Sequence, residues 1–269
     1  MSKNTVAKAA QEPATVLVTG ATSGIGKAIA LGFAKNHLAI AINGFGKDDE
    51  IAAVLNELKE AGAKEAIHVP SDMSLAGDID RLITTTQEKL GSLDVLVNNA
   101  GIQYTANIED FPAEKWDQII AINLSSAFHT TRLALPMMKE RNFGRIINIA
   151  SVHGLVASVQ KAAYVAAKHG IIGLTKVVAL ECAQQNITAN SICPGWVLTP
   201  LVEAQVSAIA TKDGISRDQA VEKLLSEKQP SLRFVALEEL AALCLFLSSS
   251  SAASITGASM PIDGGWTAR

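Results

Sequence analysis

The stretch VLVTGATSGIGKAIALGFA, residues 16–34, decides the fold. It opens as a short aliphatic, β-branched run and continues with apolar residues at helical spacing. Gly20, Gly24 and Gly26 punctuate the junction. Glycine lets a backbone turn tightly and approach an anion closely, and the unpaired amides of a new helix face whatever lies there. A strand, a glycine-rich turn and a helix in succession form the context in which such a run signals a pyrophosphate site. The spacing is G-x-x-x-G-x-G rather than G-x-G-x-x-G.

Working outward, short apolar runs recur at 15–19, 38–43, 66–70, 94–98, 145–150 and 187–193. Helical patterns fill 25–36, 48–61, 78–90, 114–139 and 162–183. Strands alternating with helices imply βαβ units and a parallel sheet, and near-continuous apolar strands imply cover on both faces. No repeat or low-complexity linker interrupts 14–269, which reads as one α/β domain; 1–13 reads as a disordered tail. Residues 198–231 break the rhythm with two polar helices around Lys212-Asp213-Gly214 and no strand. A helical insertion after a strand end is the usual place for a mobile lid over a substrate.

The 269 residues are 48% hydrophobic, enough to bury a single core. A net charge of −3 without a basic cluster, and aromatics at 4%, argue against nucleic-acid partners. Cys182, Cys193 and Cys244 form no C-x-x-C pair and sit in apolar surroundings, so inert buried thiols in a reducing, cytoplasmic compartment are expected. The N-terminus has no signal-peptide core, and no run of eighteen apolar residues predicts a membrane span.

Further motifs fall in order along the chain. TGATSGIG (19–26), NNAG (98–101), Asn123, Ser151, the pair Tyr164-x-x-x-Lys168, PGWVLTP (194–200) and DGG (263–265) together resemble the motifs of short-chain dehydrogenases/reductases. The likeness runs from about residue 14 to the end. It implies a Rossmann-type doubly wound parallel sheet of about seven strands. It also implies a catalytic set of Asn123, Ser151, Tyr164 and Lys168, in which Asn123 anchors a water of a proton relay. A nicotinamide dinucleotide would lie against Gly20, Thr22, Ser23, Gly24, Ile25 and Gly26. Asn99, Ala100, Gly101, Tyr164, Lys168, Pro194, Gly195, Val197 and Thr199 would complete its site.

The chemistry agrees with the residue types. Oxidising an alcohol needs a base for the hydroxyl proton. A tyrosine is too weakly acidic for this at neutral pH unless a cation favours its phenolate. Lys168 lies one helical turn beyond Tyr164 on the same face. Ser151 falls at the carboxyl end of a strand, where ligands bind open α/β sheets. Its hydroxyl can steady an oxygen that changes between alcohol and carbonyl.

Two details narrow the cofactor and the substrate. The second strand ends in Asn43-Gly44, without the acidic residue usual for NAD, and no basic pair near Ser23 or Lys47 awaits a 2′-phosphate; NAD is the expectation. Phe45 packs on the adenosine or anchors its loop. Asp72, beside Met73, contacts the adenine or caps a helix. Near the catalytic group, Gln103, His153, Lys161 and Gln205 offer a cation, an imidazole and two amides, suited to a small carboxylate. NNAGIQ, SVHGLV, KAAYVAAKHG, CPGWVLTPLV and LSEKQPS resemble one group of the family, the bacterial D-3-hydroxybutyrate dehydrogenases. That likeness implies that these four residues grip the carboxylate and that Trp196 and Trp266 wall the pocket. It also implies a homotetramer. The alternatives are an NADP-dependent 3-oxoacyl or ketone reductase and a dinucleotide-binding sensor without catalysis. No metal-ligand cluster is evident.

Overall fold

The computed structural model describes residues 12–268. Seven strands form one parallel sheet: β1 (Thr15–Val18), β2 (Ala39–Ile42), β3 (Glu65–His68), β4 (Val95–Asn98), β5 (Gly144–Ile149), β6 (Ile187–Pro194) and β7 (Ser259–Ile262). Their order is β3-β2-β1-β4-β5-β6-β7. The chain winds from β1 out to β3, then crosses back to place β4 on the other side of β1. In register, Leu17 stands between Ala41 and Leu96. The crevice beyond the carboxyl ends of β1 and β4 is therefore the switch point where ligands enter doubly wound sheets.

The alternation of side chains along each strand sorts the core into two layers. Val16, Val18, Ile40, Ile42, Val95 and Val97 pack on Ile29 and Phe33 of α1 (Gly24–Ala34) and on Leu240 and Cys244 of α9 (Leu237–Ser248). On the other face, Leu17, Ala41, Leu96 and Ile146 meet three helices. These are α3 (Ala76–Leu90), α5 (Ser126–Arg141) and α6 (Ala162–Glu181). Helix α2 (Asp48–Glu60) lies along the outer strands. At about 2 kcal/mol for each fully buried large aliphatic side chain, these two layers dominate the folding free energy.

The pattern at 114–139 is two helices rather than one. Helix α4 (Ala113–Ile120) passes through a single π-helical turn, Ala121–Ser125, into α5. The wide turn carries Asn123, whose Oδ1 accepts from the Ile102 N–H while its Nδ2 donates to the Ile102 carbonyl, both at 2.9 Å. A one-residue π insertion of this kind commonly marks a functional site.

The insertion at 198–231 is a hairpin of α7 (Pro200–Asp213) and α8 (Arg217–Lys228), turned at Gly214 with φ +64°. The Thr199 and Ser216 hydroxyls cap the two helices. Val202, Val206, Ala220 and Leu224 give the hairpin a small core of its own, packed against Trp196 and Phe234. Arg217 clasps Glu203 through two bonds of 2.7 and 2.8 Å.

By length and mean hydropathy α6 is apolar enough to cross a bilayer, but Lys168, His169, Lys176 and Glu181 interrupt it and part of it is buried, as in a core helix. Lys168 is itself buried. The three cysteines are free and buried. Most of the expected N-terminal tail, residues 1–11, lies outside the described residues.

Candidate active site

A cleft of about 630 Å³ opens at the carboxyl ends of β1, β4, β5 and β6. At one end lies the glycine turn. Gly20 and Gly24 have φ of +62° and +55°, a region that side chains disfavour. A Cβ on Gly20 would stand 2.9 Å from Cα of Ala100, and one on Gly26 would overlap the Gly20 carbonyl oxygen. The turn is held from β4: Asn99 Nδ2 donates to the carbonyls of Thr19 and Gly20 at 2.9 and 3.0 Å. The Thr19 hydroxyl accepts from the amides of Asn99 and Ala100, both at 3.0 Å. No side chain caps the start of α1 and no acidic residue lies in its first turn, so that helix end faces the cleft open to an anion. This cradle, tight enough to exclude a methyl group, fits a pyrophosphate lying against bare backbone.

Among the described residues, none that lines the glycine-turn end of the cleft is acidic or basic. Asn43 is buried; its Nδ2 donates to the Ser71 carbonyl at 2.9 Å and its Oδ1 accepts from the Gly20 amide at 3.4 Å. Asn43 therefore braces the glycine turn. Any side chain on Gly44 would meet the Thr22 hydroxyl at 2.7 Å, and that hydroxyl donates to the Phe45 carbonyl. Phe45 is 76% exposed at the cleft mouth. Ser71 and Met73 line the cleft, but Asp72 does not. Its Oδ1 accepts from the Ser74 amide and hydroxyl at 2.8 and 2.7 Å, closing a local turn ahead of α3, whose N-cap Leu75 has no side-chain cap; Asp72 thus neither lines the cleft nor caps the helix. The other residues assigned to the cofactor all line the cleft.

At the far end, Ser151 leaves β5 and Tyr164 and Lys168 return on α6, as their spacing requires. A buried polar chain ties these elements together. Thr130 donates to Asn98, Asn98 to Asn148, and Asn148 to Thr175, which bonds Ser191. Lys168 is 4% exposed, and its ammonium donates to the Ile149 carbonyl at 2.7 Å while standing 5.5 Å from the Tyr164 ring. Burial pulls its pKa down to about 8. For Tyr164 burial pushes the phenol up, and a hydrogen bond with Ser151 opposes it. In the protein alone, then, desolvation of the phenolate is the larger influence on Tyr164 and the Ser151 hydrogen bond the smaller, opposing one. Both ends of the Asn123 amide hold Ile102, a cleft residue. Asn123 is a positioning residue.

Gln103, His153, Lys161, Trp196, Gln205 and Trp266 all line this end. The His153 ring lies 5.9 Å from that of Tyr164 and 5.5 Å from that of Trp266, which is 5.8 Å from Trp196. Lys161 Nζ sits 5.5 Å from the Trp196 ring, within cation–π range. His153 is not the titrating group its type suggested. Burial first, then the charges of Lys161 and Lys228, drive its pKa to about 3, so it stays neutral. Lys161 is lowered by burial and then by Lys228.

Three participants were not singled out from the sequence. Lys228, at the end of α8, donates to Ser158 at 2.9 Å, and Ser158 bonds His153 Nε2 at 2.9 Å. Gln229, fully buried, accepts from the Trp196 amide at 2.8 Å and donates to the Arg233 carbonyl. The stretch LSEKQPS held the only sequence signal for this pair, and residue type alone did not separate it from a solvated helix end.

Comparison with known proteins gives these observations a family. A model described as short chain dehydrogenase matches residues 14–210. A D-beta-hydroxybutyrate dehydrogenase of Cupriavidus necator is 58% identical over 95% of this chain and 98% of its own length. One from Rhizobium meliloti is 51% identical over 95% and 99%. Among solved structures, an actinorhodin polyketide ketoreductase with NADPH superposes with a TM-score of 0.88 at 35% identity, covering 94% of this chain and 97% of that one. On the family match and the near full-length identities, the chain belongs to the short chain dehydrogenases, and its cofactor is a nicotinamide dinucleotide.

Proposed function

We propose that the protein oxidises (R)-3-hydroxybutyrate to acetoacetate, reversibly, with NAD. One observation carries the reading: a half-buried lysine, two glutamines and a neutral histidine line the cleft end that also holds Ser151 and Tyr164. The high identity to two D-beta-hydroxybutyrate dehydrogenases supports it. The glycine turn, Asn99 and Lys168 would hold the nicotinamide dinucleotide, which would supply the acceptor for the hydride of the carbinol carbon. Tyr164 takes the hydroxyl proton, and Ser151 donates to the oxygen as it gains negative charge. Lys168 supplies positive charge beside the phenolate. Lys161, Gln103 and Gln205 hold the carboxylate, with His153 beside them, and Trp196 and Trp266 wall the pocket.

The adenosine end supports the choice of NAD. Among the described residues, the lysines lining the cleft are Lys161 and Lys168, at the catalytic end, so no cation meets a 2′-phosphate. The absence of an acidic residue at Asn43-Gly44 keeps the NADP-dependent reductase as a second reading. Initial rates with purified protein separate the readings. We expect NADH formation from (R)- and not (S)-3-hydroxybutyrate. A preference for NADP, or cofactor binding without turnover of any small hydroxy acid, would refute the proposal.

The α7–α8 hairpin is read as the lid. Gln205 projects from it into the cleft lining, and Lys228 at its end reaches the catalytic loop. Amide exchange across 200–228 should slow when NAD and acetoacetate are added together. Unchanged exchange would make the hairpin a fixed wall. The homotetramer implied by the family likeness has Phe128, Val177 and Leu180, exposed on α5 and α6, as candidate contacts.

A further inference from the structure

We propose that Lys228, acting through Ser158, fixes the His153 imidazole with its proton on Nδ1 and thereby directs the Ser151 hydroxyl proton at the substrate oxygen. The inference deepens the dehydrogenase reading, and only its kinetic consequence rests on that reading.

The relay has four members. Lys228 Nζ donates to Ser158 Oγ at 2.9 Å, and Ser158 Oγ lies 2.9 Å from His153 Nε2. His153 Nδ1 lies 3.3 Å from Ser151 Oγ, which also accepts from the His153 backbone N–H at 3.2 Å. An ammonium can only donate, so Ser158 accepts from Lys228 and keeps its own proton to give. The adjacent cation polarises that hydroxyl into a stronger donor and opposes an N–H pointing at it from Nε2. Nε2 therefore accepts. A neutral imidazole has a single N–H, which is left on Nδ1 and points to Ser151.

Ser151 then accepts two hydrogen bonds, and both lone pairs of its oxygen are used. Its own proton has to go elsewhere, into the cleft where Tyr164 and the substrate oxygen lie. In the opposite tautomer the Nδ1 lone pair would take the Ser151 proton and withdraw the donor from the atom where charge develops. Lys228 does not line the cleft; its ammonium is held 5.6 Å from the Trp266 ring. Its hydrogen-bonded path to His153 runs through Ser158, while its charge also bears on His153 and Lys161, and it is a positioning residue. Because it ends α8, the tautomer also depends on where the hairpin sits.

The test is the ¹⁵N imidazole spectrum of the full-length protein, with His153 assigned by its loss in His153→Gln. We expect a protonated Nδ1 in the unaltered protein. Lys228→Met and Ser158→Ala, each shown to fold by its melting curve, should move the proton to Nε2 in whole or part, and Lys228→Arg should retain it on Nδ1. In Lys228→Met, kcat for (R)-3-hydroxybutyrate should fall by about tenfold or more, as expected for weakening one oxyanion donor, with KM for NAD little changed. A protonated Nε2 in the unaltered protein overturns the proposal. So does a spectrum unmoved by both variants, or a moved spectrum with unaltered kcat. If no 3-hydroxy acid is turned over, the spectrum alone decides, and the two failures stay distinct.

Discussion

Tyr164→Phe is expected to lower kcat for (R)-3-hydroxybutyrate oxidation by about 10³-fold, the usual scale for removing a general base. NAD affinity and melting temperature should stay near those of the parent. The change removes one hydroxyl whose hydrogen bond is with Ser151, and it leaves a ring that fills the same half-buried space between His153 and Lys168. The effect falls on the transition state because the phenol has to give up its proton there, against a burial that pushes its pKa up. Two cations can offset that cost: the Lys168 ammonium and the oxidised nicotinamide ring, which is present only in the complex. Turnover should therefore rise with pH as the phenol ionises, and this limb should vanish in Tyr164→Phe. Steady-state kinetics with a cofactor titration check both points. Residual activity within about tenfold of the parent would remove Tyr164 as the base.

The reason Tyr164 could be named from sequence, while its protonation could not, is general to this fold. A Tyr-x-x-x-Lys pair states that two groups share a helical face. It does not state that the lysine donates to Ile149, nor that burial dominates the phenol. The glycine turn was legible because a strand, three glycines and a helix constrain the backbone locally. Strands β1, β2, β4, β5 and β6 were legible because each is a buried, largely apolar run, while β3, Glu-Ala-Ile-His, is only partly buried and was carried by its place between two helical patterns. Strand β7, Ser-Met-Pro-Ile, was not: it is a half-exposed edge strand with a proline, which pattern reading demotes. Helix α9 was passed over for a related reason, since LEELAALCLFLS is apolar nearly all round and shows no stripe. The π turn at Asn123 was invisible because one extra residue in a helical pattern leaves no mark on composition. Lys228 and Gln229 were missed because their partners, Ser158 and Trp196, lie 70 and 33 residues away. Such contacts are set by how α8 docks, which no local spacing encodes.

Lys161→Ala should raise KM for 3-hydroxybutyrate by about 10²–10³-fold, the scale of removing one partner from a desolvated charge pair, while NAD affinity stays nearly unchanged. The lysine is half-buried over Trp196, and Lys228 adds repulsion, so its ammonium is destabilised in the protein alone and its pKa is lowered. A bound carboxylate reverses this by supplying the missing counter-charge. Binding then favours the protonated lysine, and by linkage the affinity falls as pH rises through its depressed free-protein pKa. KM should therefore climb on the alkaline side in the parent and stay flat there in Lys161→Ala. No corresponding step from His153 should occur between pH 5 and 8, because its pKa near 3 keeps it neutral throughout that range. If affinity for 3-hydroxybutyrate and affinity for NAD fell together, Lys161 would be supporting the loop rather than gripping the carboxylate. An acid step near pH 6.5 that vanished in His153→Gln would instead return the imidazole to a charged role. Both profiles follow from one physical fact, the burial of cations in a site whose anion arrives only with the substrate.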